Sequence, residues 1–295
     1  MIRLMAGTEN AKILHYGYAI EYDYCPPIQL KSNLETKKVD GLFLAGQING
    51  TSGYEEAAGQ GIIAGINAVR KLRGEEIVVL GRGQAYIGVL IDDLLTRGLG
   101  VENMGICDEP YRMFTSRAEY RLSLRADNAD RRLTQIGRAV GVVDDRRWGK
   151  FEEKVSDIEK LRDYLTNTRQ AGRSLWDQLR MPTNGLDKVL PHNSYVKSER
   201  FDRSVVEAVV IDAKYEGYLA KQEKLVASLQ SLDNKRIPAG LDYHGIDHLR
   251  KEAKEKLSVF GPETLGQASR ISGVTPADIT VIQIHLKKHF GGSHG

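Results

Sequence analysis

The segment 46–54 (GQINGTSGY) combines residue types that can bind an electron-rich ligand through the backbone. Its glycines tolerate positive φ angles and let the backbone approach a ligand closely. The apolar run 42–45 before it predicts a buried strand, and the alanine- and glycine-rich sequence from Tyr54 onward predicts a helix that packs closely on a sheet. A strand, a glycine loop and a helix N-terminus present free N–H groups to an anion or an electron-rich ring.

The start of this helix has its own capping chemistry. Thr51 or Ser52 can act as the N-cap, and Glu55 and Glu56 lie where acidic side chains favour the positive end of the helix dipole. An ordinary strand–turn–helix corner, whose glycines serve only packing, would show the same residues. The residues alone therefore leave a ligand site and a packing corner equally open.

Arginines dominate the segment 111–138, which also contains three acids. Arg117 and Arg121 are spaced i, i+4 and would share one face of a helix, where guanidinium groups can bind RNA phosphates. The alternative, which the residues alone favour, is an internal network in which the acids pair with several of the arginines. The candidate phosphate-binding residues are Arg112, Arg117, Arg121, Arg125, Arg131 and Arg132.

The spacing of apolar residues in 82–98 predicts a helix that ends near Gly98. Its neighbouring carboxylates, Asp92 and Asp93, would point about 100° apart and make a poor chelate, so no metal site is predicted. We expect both carboxylates to be solvated or ion-paired, with Asp92 held against an arginine of the next segment.

Two longer helices are predicted by apolar stripes in 144–168 and 204–232. In the second helix, Gly217 costs about 1 kcal/mol relative to alanine, so close packing or the approach of a ligand should justify it. Tyr215 and Tyr218 could stack on a base, although packing in the core is the favoured interpretation.

The C-terminal segment 261–288 predicts a short helix, a tight turn and a second helix that Thr275 caps and Pro276 begins. A helix-turn-helix has this pattern, but the second helix is mostly apolar and has no base-reading residues at its start. A docking unit for another protein is therefore favoured over a DNA-binding unit. Residues 169–200 carry turn chemistry and predict a connection.

The overall composition is that of an ordinary globular protein. Of the 295 residues, 41% are hydrophobic and 27% are charged, and the net charge of +3 does not by itself indicate a nucleic-acid binder. The two cysteines, Cys25 and Cys107, are too few for a disulfide framework. No apolar run is long enough to cross a bilayer and no signal-peptide core is present, so we expect a cytoplasmic protein.

The segment before the glycine loop is too short for the parallel sheet that a strand–loop–helix unit normally closes. Residues 13–24 have the alternation of a strand or hairpin arm, and no Gly-x-Gly-x-x-Gly follows a strand. We therefore expect that a large N-terminal part of the protein precedes Met1.

Four segments resemble one known family. They are 45–58 (AGQINGTSGYEEAA), 111–121 (YRMFTSRAEYR), 125–134 (RADNADRRLT) and 214–222 (KYEGYLAKQ). Together they resemble the tRNA wobble-uridine carboxymethylaminomethyl modification family, also called glucose-inhibited division protein A or MnmG. Gln47 is similar to that family, whereas many flavoproteins of the wider class have an acid in its place.

The resemblance implies a flavin site at the glycine loop. FAD would be the cofactor, NADH and a folate one-carbon donor would serve the complete protein, and the helix N-terminus would stabilise negative charge on the flavin ring. The arginine segment would lie near the flavin and the wobble end of the tRNA. The implied cofactor-binding residues are Gly46, Gln47, Asn49, Gly50, Thr51, Gly53 and Tyr54.

The resemblance also implies partners. These are tRNA, a tRNA-modifying GTPase and, for the complete protein, a second copy in a homodimer. The GTPase would dock on the C-terminal helical unit. The implied partner-binding residues are Leu265, Gln267, Arg270, Ile271, Val274 and Ile279.

The predicted fold is an α/β remnant of a FAD-binding domain followed by a mostly α-helical C-terminal domain. We expect a closing segment of the FAD domain (1–80), a helical, arginine-rich region near the tRNA (81–200) and a partner-docking helical domain (201–295). The implied function is part of an enzyme that installs a carboxymethylaminomethyl-type group at C5 of the wobble uridine. The chain alone is expected to bind FAD weakly and to lack that activity. A non-catalytic scaffold for the GTPase and an RNA-binding module stay open as alternatives.

Overall fold

The computed structural model of the chain describes residues 2–97, 111–189 and 201–290. These residues are mostly helical, as predicted, and their named strands, β1 (Arg169–Gln170) and β2 (Arg173–Ser174), form an antiparallel hairpin. The helices are α1 (Tyr54–Leu72), α2 (Tyr86–Arg97), α3 (Ala129–Ala139), α4 (Asp145–Asn167), α5 (Leu175–Leu179), α6 (Leu186–Val189), α7 (Arg203–Asp233), α8 (Lys251–Phe260), α9 (Leu265–Arg270) and α10 (Pro276–Phe290).

The strands predicted near the N-terminus do not form. Residues 13–24 are irregular and largely exposed, and in the run 42–45 only Phe43 forms an isolated bridge, with Glu35. A strand needs a neighbour for its backbone N–H and C=O groups, and the described part of the chain offers these segments no paired sheet. The α/β part of the predicted fold is therefore not visible as a sheet in these residues.

The first core lies between α1, α2 and the loop segment 30–45. Leu34, Ile63 of α1 and Ile91 of α2 are buried together. Gly59 lets α1 approach α2 closely, because a Cβ at this position would lie 3.2 Å from Cγ1 of Ile87. The helix rich in small residues thus packs closely, as predicted, but against a helix and not against a sheet.

The second core joins α4, α5 and α7. Asp144 caps α4 by accepting a hydrogen bond of 2.7 Å from the backbone N–H of Arg147. The predicted apolar stripe of α4 is confirmed, and each fully buried leucine on it contributes about 1.5–3 kcal/mol. Residues 169–189, predicted as part of a connection, instead form the hairpin and two short helices that add to this core. The buried residues are Ile158, Leu161, Leu165, Leu175, Trp176, Leu179, Val189, Val205, Ala208, Val209 and Ala213.

The C-terminal bundle of α8, α9 and α10 has a core of its own. Ile246, Leu257 and Leu265 are almost completely buried in it. Thr264 caps α9 by accepting a hydrogen bond of 3.1 Å from the backbone N–H of Gln267. The predicted pair of short helices, with Pro276 at the first position of the second, is confirmed.

The bundle is bonded to the N-terminal part of the chain. The hydroxyl of Ser32 donates to Glu263 Oε2 at 2.7 Å, and its backbone N–H donates to Oε1 at 3.0 Å. Lys37 Nζ donates to the carbonyl oxygen of Phe260 at 2.9 Å. Residues far apart in sequence therefore form one packed unit.

Cysteine, membrane and metal chemistry add little to the described fold. Cys25 is a free, half-buried thiol whose pKa is raised by burial, while Cys107 and the predicted helix end at Gly98 lie outside the described residues. In the described ranges, no helix combines the length and the apolar character needed to cross a membrane. The same ranges hold no group of three or more His, Cys, Asp or Glu side chains arranged around a metal position.

Acid is expected to weaken the C-terminal bundle through Asp278. This side chain is buried and bonded to Arg250 and Thr275, and the Arg250 hydrogen bond holds its pKa well below the usual range. A depressed pKa stabilises the fold at every pH above the unfolded-state value, and this stability is lost as pH falls below about 4. Thermal melts between pH 6 and pH 2 should show Asp278→Asn less stable than wild type at pH 6, with the difference shrinking toward pH 2.

Asp145→Asn provides the control for this experiment. Asp145 forms an ion pair with Arg138, but its side chain is 92% exposed, so the pair should contribute little stability. Its variant should follow the wild-type curve at every pH. A constant difference between wild type and Asp278→Asn across the range would contradict the role given to this carboxylate.

Candidate functional site

A single buried side chain on α1, Gln60, holds the glycine segment in shape. Its Oε1 accepts from the backbone N–H of Gly46 at 2.8 Å and from Asn49 Nδ2 at 2.9 Å. Its Nε2 donates to the hydroxyl of Thr51 at 2.7 Å. The segment therefore turns tightly through Gly46–Asn49 and ends in a left-handed conformation at Gly50, with φ of 74°. We call Gly46–Tyr54 the glycine corner.

The predicted cap of α1 is wrong. Gly53, not Thr51 or Ser52, occupies the N-cap position, and it makes no side-chain bond. The hydroxyl of Thr51 is directed to Gln60 and so is not available as a cap. Instead the carboxylate of Glu56 folds back over the helix start, since a Cβ at Gly53 would lie 1.8 Å from its Oε2.

The glycine corner is bonded to the arginine segment. The backbone N–H of Tyr111 donates to the carbonyl oxygen of Gly50 at 2.8 Å, and the N–H of Met113 donates to Glu56 Oε1 at 3.0 Å. Arg112 Nε lies 3.7 Å from the same carboxylate oxygen. The Met113 N–H and the Arg112 charge both lower the pKa of Glu56, which keeps this side chain ionised.

The predicted cofactor residues divide into a buried frame and an exposed edge. Gly46, Asn49, Thr51 and Gly53 are buried, and Gly50 is half-buried. The Oδ1 atom of Asn49 is buried without a hydrogen-bond partner in the described residues. We call the exposed edge the corner surface, and its residues are Gln47, Ser52, Tyr54 and Arg112.

Three of the six candidate arginines belong to an internal network. Arg125 and Arg131 both pair with Asp212 of α7, at 3.2 Å and 2.5 Å. Arg132 donates to Asn128 Oδ1 and to the carbonyl oxygen of Arg125, each at 2.9 Å. The alternative prediction of an internal network therefore describes these three arginines.

Only some of the acids in the arginine segment pair with its arginines. Asp127 pairs with Arg125 at 3.0 Å, whereas Asp130 pairs with Lys154 of α4 at 2.6 Å. Glu119 lies near Arg117 and Arg121 in sequence but pairs with Arg82.

Arg117 and Arg121 do not share a helical face. The chain forms one turn of 3-10 helix at Thr115–Arg117 and then continues through turns. Arg82 occupies the carbonyl oxygen of Arg117 at 3.0 Å, so that oxygen is not available to continue a helix. Arg117 is half-buried near Asp93, at 3.9 Å, whereas Arg121 and Arg112 are exposed.

The side chain that orders this segment is Arg82, which the sequence did not single out. Its guanidinium is 3% exposed and bonds Asp92 at 2.9 Å, Asp93 at 2.7 Å and Glu119 at 3.0 Å. Asp92 is ion-paired as predicted, but with Arg82 and with Arg270 of α9 at 2.9 Å, neither of which lies in the following segment. The α2 carboxylates are therefore buried and not solvated.

The predicted partner-binding residues are mostly internal. Leu265, Ile271 and Ile279 lie in the core of the C-terminal bundle. Arg270 pairs with Asp92 and with Asp233 of α7, the latter at 2.8 Å. Gln267 is buried, whereas Arg270 and Val274 are half-buried. Their role toward a partner stays a prediction, while their observed role is to join the bundle to α2.

Three family models match successive parts of the chain. Residues 1–76 match glucose inhibited division protein A, residues 145–223 match the tRNA modifying enzyme MnmG/GidA C-terminal helical domain, and residues 225–293 match the MnmG/GidA C-terminal helical bundle. These matches define the chain as a protein of the GidA class with its helical C-terminal domains.

Known relatives agree with this class. The tRNA uridine 5-carboxymethylaminomethyl modification enzyme MnmG of Heliobacterium modesticaldum is 49% identical over 98% of this chain and 47% of its own length. The enzyme of the same name from Streptococcus pneumoniae is 45% identical over 97% of this chain and 47% of its own length. A crystal structure of Aquifex aeolicus GidA superposes with a TM-score of 0.76 at 42% identity, covering 89% of this chain and 43% of that one.

The chain belongs to the MnmG/GidA family. It spans about half the length of the curated relatives that it matches.

Proposed function

We propose that this chain forms the part of a tRNA wobble-uridine modification protein in which a flavin-binding corner meets a tRNA-contacting surface. The observation that carries the proposal is the direct bonding of the glycine corner to the arginine segment, through Tyr111 to Gly50 and Met113 to Glu56. The names of the relatives, tRNA uridine 5-carboxymethylaminomethyl modification enzymes, support the same reaction.

The glycine corner fits one edge of FAD. Gln47 and Ser52 are exposed beside a buried, hydrogen-bonded frame. Within the described residues, the buried Oδ1 of Asn49 in that frame has no hydrogen-bond donor. Glu56 already covers the start of α1, so we expect hydrogen bonds to the flavin from the Gln47 and Ser52 edge and not from the helix N-terminus. FAD, when bound, supplies two-electron redox chemistry. The residues of this chain bind and orient the ring, and the low pKa of Glu56 keeps a fixed negative charge nearby.

The tRNA contact is assigned to the exposed arginines of the segment. Arg112 adjoins the glycine corner, and Arg121 is exposed further along. Arg125, Arg131 and Arg132 brace α7 and the loop, so they position the surface without being free to bind phosphate. NADH, a folate one-carbon donor, a GTPase partner and a homodimer are proposed from the family resemblance alone.

Arg112→Ala and Arg121→Ala are each expected to weaken tRNA binding and to flatten its salt dependence. Each lost phosphate contact should reduce the slope of log K against log salt by about 1. Binding is measured by fluorescence anisotropy with labelled tRNA between 50 and 300 mM KCl, where these salt concentrations are chosen to span roughly the physiological range.

Arg203→Ala is the matched control for charge. Arg203 is an exposed arginine on α7 that pairs along its own helix with Glu207. It should leave the slope unchanged. Equal slopes for wild type and for both segment variants, or an equal loss in the control, would overturn the tRNA assignment.

A GTPase-binding scaffold is the second candidate function. The C-terminal bundle has its own core and its own capped helices, as a docking unit requires. Two results together would favour this scaffold function. The chain would bind the GTPase, and its Arg112→Ala and Arg121→Ala variants would bind tRNA like wild type.

A further inference from the structure

A pocket of about 550 Å³ lies between the end of α5 and the middle of α7. It lies outside the glycine corner and outside the C-terminal bundle. Its lining includes Arg180, which follows α5, and Lys214, Gly217 and Tyr218 on α7. We call it the α5–α7 pocket. Its volume is in the range of small-ligand sites.

The α5–α7 pocket is lined in part by an exposed glycine, Gly217. Gly217 lies inside α7, where glycine is disfavoured. Among the described residues, a Cβ added there would meet no atom within 4 Å, so close packing against them does not explain the residue. Its φ is not positive, so no special backbone conformation explains it either. The missing side chain leaves this part of the lining open, and we call it the floor of the pocket.

An aromatic ring stands beside this floor. Lys214, Gly217 and Tyr218 are spaced i, i+3 and i+4 and so share one face of α7. Tyr218 is 63% exposed, and its ring centroid lies 6.3 Å from that of Tyr215. Tyr215 in turn lies under the guanidinium of Arg125, at 4.9 Å, and is thereby fixed to the arginine segment. The exposed ring is thus braced from behind.

The lining of the pocket carries two cations, Lys214 and Arg180, and one carboxylate, Asp177. Lys214 Nζ donates to the carbonyl oxygens of Met181 and Asn184, the latter at 2.6 Å, which holds the ammonium in place and leaves one N–H. Arg180 lies 3.1 Å from Glu216 and 3.5 Å from Asp177, and its side chain is 43% exposed. A fixed ammonium and an exposed guanidinium near a flat aromatic surface suit a planar ring that carries an anionic group.

We propose that the α5–α7 pocket binds one nucleotide of single-stranded RNA. The base lies over Gly217 and stacks on Tyr218, and its phosphate lies at Lys214 and Arg180. Sequence-specific proteins bind RNA mainly through such unpaired, stacked nucleotides. This inference rests on the proposed function only in taking tRNA as the RNA that supplies the nucleotide.

The test compares two glycine variants of the full chain. Gly217→Ala should leave the melting temperature unchanged or raise it by about 1–3 °C, because alanine favours the helix, yet it should weaken RNA binding about threefold or more by filling the floor. Gly149→Ala is the matched control, since Gly149 is an exposed glycine of α4 with nothing within 4 Å of its Cβ position. It should gain stability alike and bind RNA as wild type does.

A second comparison identifies the stacked base. Tyr218→Ala should weaken binding of a labelled single-stranded hexaribonucleotide about fivefold or more, and Tyr218→Phe should restore it. An abasic oligomer of the same length should bind wild type as weakly as the normal oligomer binds Tyr218→Ala, with no further loss in the variant.

The two proposals fail separately. Wild-type affinity of Gly217→Ala and Tyr218→Ala for both the oligomer and tRNA overturns the pocket assignment, even where Arg112→Ala and Arg121→Ala weaken tRNA binding. An equal loss on Tyr218→Ala for the normal and the abasic oligomer also overturns it, because the ring would then not be stacking on a base.

Discussion

Replacing Arg82 with methionine is expected to lower the free energy of unfolding by about 3–5 kcal/mol. The guanidinium is 3% exposed and bonds three carboxylates, those of Asp92, Asp93 and Glu119. Methionine fills part of the volume but leaves Asp93, which is fully buried, without its main counter-ion. The carbonyl oxygen of Arg117 loses its donor as well. The large effect therefore comes from the carboxylates left behind and not from the lost packing.

Urea unfolding followed by circular dichroism measures this loss, and the midpoint should fall by about 1 M or more. Arg203→Met gives the comparison, because that arginine forms an exposed pair within one helix. Its loss should change the free energy of unfolding by a few tenths of a kcal/mol at most. Similar midpoints for the two variants would show that the Arg82 network is not a stabilising element. The Arg82 variant should also lose tRNA affinity, since Arg82 fixes the loop that bears Arg121.

The second large effect is expected at Gln60. Gln60→Leu replaces the amide with an apolar side chain of similar size and removes three hydrogen bonds, to Gly46, Asn49 and Thr51. Each buried polar group left without a partner costs about 1–3 kcal/mol, so the variant should lose at least about 2 kcal/mol. Hydrogen exchange should become faster in residues 46–51 before it does so in α4 or α7. Flavin binding should be lost together with the shape of the corner.

Gln47→Ala separates binding from stability at the same corner. The side chain of Gln47 is exposed and makes no hydrogen bond within the described residues. Its variant should therefore keep the wild-type melting temperature and exchange pattern while binding FAD more weakly. Wild-type exchange in 46–51 for Gln60→Leu would contradict the role given to this amide. Unchanged FAD affinity in Gln47→Ala would remove the corner surface from the proposed flavin site.

The helices could be predicted from sequence because their signal is local. The stripe of α4 repeats every three to four residues, and Asp144, Thr264 and Pro276 mark helix starts by their own chemistry. The strands predicted at 13–24 from alternation and at 42–45 from an apolar run do not form, because a strand forms only where a second segment pairs with it. Phe43 finds only the isolated bridge to Glu35.

The position of the candidate site could be predicted from sequence, but the hydrogen bonds and ion pairs that hold it in shape could not. The glycine corner is punctuated by residues that only a tight turn explains, such as Gly50 with its positive φ. Gln60 is one glutamine in a helix, and nothing in its neighbours shows that it points inward at three partners. Arg131 likewise sits among acids in sequence, yet its partner is Asp212, 81 residues away. A buried pair such as Asp92 and Asp93 does predict that a cation is near, but only the fold says which one.

Two contacts, Ser32 with Glu263 and Arg270 with Asp92, make residues near one end of the chain depend on residues near the other. The family models divide the chain near residues 76, 145 and 225. The Ser32–Glu263 bond crosses all three divisions, and the Arg270–Asp92 pair crosses the last two. A chimera that took its last seventy or so residues from a relative would keep these contacts only if that relative also had a carboxylate at the position of Glu263 and a guanidinium at that of Arg270. We therefore expect the residues of each pair to covary among relatives. Exchange of whole domains at these boundaries should be disfavoured, because it would separate the paired residues.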